Sequence, residues 1–122
     1  MAFVRLDHVQ LAVPAGGEAE AERFWCGLLG FERVAKPASL AARGGAWFVC
    51  GEVAVHVGAV DPATFVPATK AHPAFVVDGL DALAGVLAAA GHEPRWSDEV
   101  PGTRRFHVDD PFGNRLELIA AG

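Results

Sequence analysis

Apolar and β-branched residues dominate positions 3–13 and stop at Pro14-Ala15-Gly16-Gly17, a pattern that predicts a strand followed by a turn. The period then changes. Glu18, Glu20 and Glu22 open a stretch in which Ala21, Phe24, Trp25 and Leu28 recur at helical spacing, so an amphipathic helix is expected there, with the acids at its positive end and Gly30 as a left-handed stop. Three short strands are expected next, at 31–34, 46–50 and 53–57, the last two joined through Gly51-Glu52, with a helical turn over 37–43. Residues 60–70 are rich in Pro, Ala and Thr and show no period, as a linker does. Beyond them the pattern restarts, with a strand at 72–77, an alanine- and leucine-rich helix at 80–90 stopped by Gly91, and strands at 93–97, 103–108 and 115–120. Asp109-Asp110-Pro111-Phe112-Gly113-Asn114 separates the last two and has strong turn chemistry.

The order is therefore βαβββ twice, which predicts one α+β domain over 1–122 made of two modules, 1–59 and 71–122, joined by the linker 60–70. The repeat is numerical as well: His72 lies 64 residues after His8, Gly91 lies 61 after Gly30, and Glu117 lies 61 after His56. Corresponding strands thus carry metal-capable side chains in both halves.

Alternation along a strand decides where those side chains point. Leu11 and Val13 form the bulky face of the first strand and leave His8 and Gln10 on the other; Val55 and Val57 do the same opposite His56. In the second half Phe75 and Val77 oppose His72, and Leu116 and Leu118 oppose Glu117. All four candidates fall on the face away from the helices, where imidazole and carboxylate together suit one divalent ion, zinc, iron, nickel or manganese. His8, His72 and Glu117 are the expected ligands, with His56 as a fourth ligand or a general base. Any one of them alone reads as a hydrogen-bonded core or rim residue; four on equivalent strands and one face are costly to bury without a shared partner.

Charge and composition narrow the ligand class. A net charge of −5 without any basic run leaves no electrostatic footprint for nucleic acid and no patch for a membrane surface, so a small molecule is the expected partner. Cys26 and Cys50 form no C-x-x-C pair and are expected as reduced thiols; with no signal-like opening, a cytoplasmic protein is expected. At 122 residues the chain buries most of its apolar surface without a structural metal, so an ion bound here is functional.

The run Leu6-Asp7-His8-Val9-Gln10-Leu11-Ala12-Val13, the helix ending Leu28-Leu29-Gly30-Phe31, His72 at the start of the second half, and Asp110-Pro111-Phe112-Gly113-Asn114-Arg115-Leu116-Glu117-Leu118 together resemble the vicinal-oxygen-chelate superfamily. That group includes glyoxalase I, bleomycin-resistance proteins, extradiol dioxygenases and fosfomycin-resistance transferases. The resemblance implies that the mixed, curved sheets of the two modules form an open, barrel-like cavity. It implies metal ligands from the first and last strand of each module, at His8, His56, His72 and Glu117, and a homodimer. It also implies a metal that chelates neighbouring oxygens of a substrate and stabilises an enolate or oxyanion, with His56 and Glu117 as the catalytic pair. The expected activity is that of a lyase or isomerase, or of a ring-cleaving dioxygenase. The alternative is a metal-free, drug-binding protein of the bleomycin-resistance type. Glyoxalase-like members generally carry a carboxylate where this chain has His56, which sets it apart from glyoxalase I itself.

Further residues are candidates for contact with the substrate: Gln10 beside His8, Trp47 as a pocket wall, Arg43 on a glycine-flanked loop, and His107 next to cavity-facing positions. Arg104 and Arg105 are adjacent on one strand, so only one can face the cavity and bind an anionic group. Arg104 is carried as a candidate, against a surface salt bridge as the plainer reading. His92 is expected at the surface.

Overall fold

β-Branched residues at alternate positions build the two sheets, and the glycines that close each helix decide where the chain turns back. The computed structural model describes all 122 residues, which divide into two units, Met1–Phe65 and Val66–Gly122, with the boundary inside the expected linker. In the first, β1 (Val9–Pro14), β2 (Glu32–Val34), β3 (Ala46–Cys50) and β4 (Val53–Val60) make a mixed sheet of order β1-β4-β3-β2, with β1 parallel to β4. In the second, β5 (Ala74–Val77), β6 (Arg95–Ser97), β7 (Arg105–Asp109) and β8 (Arg115–Ala120) repeat it as β5-β8-β7-β6, with β5 parallel to β8. Neither sheet closes into a barrel. No helix is long and apolar enough to cross a membrane.

The first helix, α1 (Glu18–Glu22), continues into a wider π-helical stretch, Arg23–Leu28, in which the Leu29 N–H donates to the Phe24 carbonyl. Ala21, Phe24 and Trp25 are fully buried, as their spacing predicts, and the wider turn leaves Leu28 only half-buried. Gly30 and Gly91 both take positive φ, 78° and 90°, and stop the two helices as expected. In α2 (Leu80–Ala89) the buried residues are Leu80, Ala84 and Leu87. A 3-10 turn occupies Ala38–Arg43.

One boundary is corrected. The first strand begins at Val9, not at residue 3, and Phe3, Val4 and Leu6 are exposed. The reason is register: Val9 pairs with Val55, and β4 starts at Val53, so almost nothing of β4 remains for the residues before Val9 to pair with. In the second unit β5 likewise begins only at Ala74, two residues after His72.

Candidate metal centre

The second unit's site is set by a turn. Asp110 Oδ1 accepts the backbone N–H groups of Phe112 and Asn114 at 2.9 and 2.8 Å, and Oδ2 accepts the Asn114 side-chain amide at 3.0 Å. Burial pushes the Asp110 carboxyl up, against these hydrogen bonds. Gly113 takes φ 92°, a conformation that disfavours a side chain. Closing the chain this way pairs Asp109 with Arg115 and so His107 with Glu117, side by side on β7 and β8. The same turn anchors the approach to β5, since Asn114 Oδ1 accepts the Ala68 N–H at 2.9 Å and the Arg115 N–H donates to the Ala68 carbonyl at 2.9 Å. The Glu117 N–H donates to the Pro73 carbonyl at 3.0 Å, which brings His72 alongside.

The metal-capable atoms of His72, His107 and Glu117 lie within 4.8 Å of one another. Glu117 is 7% exposed; its Oε1 faces His72 Nε2 at 3.0 Å and His107 Nε2 at 3.3 Å, while Oε2 accepts Arg105 Nη1 at 3.0 Å. Burial alone would raise this carboxyl, but the hydrogen bonds from Arg105 and His72 outweigh it and hold it below the ordinary glutamate range. His107 is shifted the other way: burial lowers it, and the Glu117 charge only partly restores it.

The tautomer of His72 follows from its other nitrogen. Nδ1 lies 2.8 Å from the Lys70 carbonyl, which can only accept, so Nδ1 carries the proton. The hydrogen bond that Nε2 gives Glu117 Oε1 at 3.0 Å therefore needs a second ring proton; without it Nε2 offers a lone pair to a carboxylate oxygen, and a metal ion between the two takes that proton's place. An imidazole that donates one N–H to a carbonyl and points its other nitrogen at a carboxylate has the form of an oriented metal ligand. Two imidazoles and a carboxylate fit zinc, iron, nickel or manganese.

The first unit uses the equivalent positions differently. His56, 8% exposed, is opposite Trp47 on β3, and their rings stack at 4.0 Å with 3° between planes. His8 stacks on His56 at 4.0 Å and 18°, and Asp7 Oδ2 lies 2.9 Å from His8 Nδ1. Burial and the neighbouring His8 both lower His56 from its ordinary value, so the ring is neutral near pH 7. Gln10, opposite His56 in the β1–β4 register, lies over Gly58, where a Cβ would come within 2.8 Å of the Gln10 amide. Arg43 is exposed at the end of the 3-10 turn.

These geometries sort the sequence candidates. His72, Glu117 and His107 come together in the second unit, and His8, His56, Trp47 and Gln10 share the first. Arg104 does not face the cluster: it pairs with Asp81 of α2 at the surface, with its guanidinium 4.1 Å from the Trp96 ring centre. Its neighbour Arg105, the first residue of β7, reaches Glu117 instead. His107 was expected only as a substrate contact, and its place among the metal-capable residues was missed. His92 is half-buried and bonds the Asp109 carbonyl rather than lying free at the surface.

A family model described as the Glyoxalase/Bleomycin resistance protein/Dioxygenase superfamily matches residues 5–118. The chain belongs to this superfamily. Among solved structures, a glyoxalase family protein from Bacillus anthracis is 40% identical, with a TM-score of 0.92, over 100% of this chain and 99% of that one. The fosfomycin resistance protein FosX from Listeria monocytogenes shares the superfamily fold at 18% identity and TM-score 0.76, covering 99% of this chain and 96% of its own. TnmS3, an antibiotic binding protein from a Streptomyces species, does so at 20% identity and TM-score 0.73, over 100% and 99%. No curated protein matches the chain. The βαβββ repeat read from the sequence is thus the fold of the glyoxalase superfamily, whose members typically bind a divalent metal.

Proposed function

We propose that this protein is a divalent-metal-dependent enzyme of the glyoxalase or dioxygenase type, acting on a small substrate with two neighbouring oxygens. The observation that carries this reading is the facing pair of His72 Nε2 and Glu117 Oε1 at 3.0 Å, with Nδ1 of His72 already committed to the Lys70 carbonyl. His72, Glu117 and His107 would hold the ion. When bound, it polarises the substrate oxygens and stabilises the negative charge that develops on them. Arg105 keeps Glu117 ionised, and His56, neutral near pH 7, is suited to accept a proton as a general base. His8, oriented by Asp7, is a further ligand candidate on the same logic as His72.

Metal analysis of protein purified without chelator tests the reading, with the His72→Ala, Glu117→Gln double variant and His8→Ala alongside. Near-stoichiometric metal in the wild type and its loss in the double variant are expected; metal-poor wild type, or equal retention in the double variant, sinks the proposal. Loss in His8→Ala adds His8 to the ligand set. Oxygen uptake with catechols, for iron, or turnover of thiol hemithioacetals, for zinc or nickel, then separates ring cleavage from lyase chemistry.

The Trp47, His56 and His8 rings form a parallel ladder, which favours a second reading: a metal-free protein that binds a flat aromatic compound. Metal-independent binding of such compounds, abolished by Trp47→Ala, is its signature. A homodimer and a cytoplasmic location remain part of the proposal; the exposed Phe3, Val4 and Leu6 support the dimer by leaving apolar surface for a partner.

A further inference from the structure

We propose that Arg105 is a positioning residue for the metal carboxylate: by holding Oε2 of Glu117 it presents Oε1 alone to the two imidazole nitrogens. The inference rests on the metal reading above and deepens it. Three observations carry it. First, the two oxygens of Glu117 have separate partners: Nη1 of Arg105 takes Oε2 at 3.0 Å, while His72 and His107 converge on Oε1. A carboxylate fixed at one oxygen cannot rotate to exchange the other.

Second, the surroundings of Arg105 do not explain its presence. Its Nη2 reaches Ser97 Oγ only at 3.4 Å and Glu99 at 3.9 Å, and its buried Nε finds no hydrogen-bond partner. Glu117 is therefore its one close partner. A buried ion pair that leaves a donor unmatched contributes little to folding compared with an apolar pair of similar size. Stability alone would not keep a guanidinium here.

Third, the two halves of the repeat differ at this position in step with the carboxylate. Arg105 precedes His107 by two residues on β7, and the residue two before Trp47, the counterpart of His107, is Gly45. There a Cβ would come 2.2 Å from the Val57 carbonyl oxygen, so no side chain fits. The half that carries His56 in place of the carboxylate has no carboxylate to orient there and no arginine at this position. The half that carries Glu117 has both.

Titration with Co2+, read by its visible absorption and by competition with Zn2+, tests this on wild type, Arg105→Gln and Arg105→Lys, with circular dichroism to confirm folding. Arg105→Gln should weaken metal binding about 10- to 100-fold and shift the Co2+ bands, because the carboxylate is free to turn. Arg105→Lys should recover part of the affinity while still shifting the bands, since an ammonium reaches Oε2 as a single point donor without the planar fork. Wild-type affinity and an unshifted spectrum in both variants overturn the inference. If Arg105→Gln does not fold, Arg105→Lys decides by the same criterion. A wild-type protein that takes up no Co2+ refutes the metal reading itself, a different failure from metal bound identically with and without Arg105.

Discussion

The two halves of this chain place side chains at matching points of matching sheets and use them for different chemistry. Opposite the last strand's inward residue, the first half has Trp47 against His56 and the second has His107 against Glu117. One result is a stack of neutral rings, with dispersion as its main attraction; the other is a half-buried cluster of imidazoles, a carboxylate and a guanidinium. The lesson is that the repeat supplies geometry, while two or three substitutions on it decide between packing and ion chemistry. A duplicated scaffold can keep one copy as support and specialise the other.

The strongest way to break this contrast is to remove the central residue of each half and compare stability without metal. Trp47→Ala should cost about 3 kcal/mol through lost ring packing. Glu117→Ala should cost a similar amount, about 3 kcal/mol, for the opposite reason, because it leaves the Arg105 guanidinium buried without its partner. Chemical denaturation checks both, and a second substitution separates the causes. Arg105→Met in the Glu117→Leu background should recover most of the loss, whereas no polar change should rescue Trp47→Ala. If Glu117→Ala is as benign as a surface change, the second half is not an ion-pair centre, and the contrast fails.

Much of this arrangement was legible in the sequence. The paired helices with their glycine stops, the strands and the 61-residue offset between His56 and Glu117 follow from apolar period and turn chemistry, which are local properties. His107 was harder to find because its role depends on pairing rather than on period. Yet the signal was present: a hairpin closed by Asp109 and Arg115 pairs residue 107 with 117, and the Asp110-to-Asn114 turn dictates that closure. The choice between Arg104 and Arg105 turned on strand phase in a segment with no strong apolar alternation at its start. The early end of β1 depended on where its partner strand begins, a long-range fact.

Acidification sharpens the comparison next, because both halves carry a histidine lowered by burial, and only one carries the carboxylate. A histidine with a folded value below its unfolded one binds its proton more weakly when folded. Stability therefore falls as pH drops below about 6.5, the ordinary histidine value. His56 should contribute this loss in the first half and His107 in the second. Glu117, held below the ordinary range, contributes stability that is complete above its unfolded value and is lost at lower pH still, as the carboxylate takes up a proton. Thermal melts of metal-free protein from pH 8 down to about pH 2.5 should decline in two stages. His56→Phe should flatten the first stage in part, whereas Glu117→Gln should remove the second and deepen the first, because His107 loses the charge that partly restores it. A His56→Phe variant with an undiminished first stage would mean that the ring stack does not hold His56 neutral.

The smallest effect is expected from the residue next to the most informative one. Arg104 and Arg105 are chain neighbours with identical chemistry at the start of β7, Arg104 just before it and Arg105 its first residue, and their side chains point opposite ways. Arg104 lies on the helix side, exposed, paired with Asp81 and resting on Trp96, where solvent screens the pair and its contribution is slight. Arg104→Ala should leave metal affinity, the Co2+ spectrum and the melting temperature at wild-type values, while Arg105→Gln changes the first two. Since both substitutions remove one positive charge at adjacent positions where β7 begins, the pair controls for net charge. Equal losses of metal from both would mean that charge near the site matters and position does not. Loss from Arg105 alone ties the effect to the one guanidinium that touches Glu117.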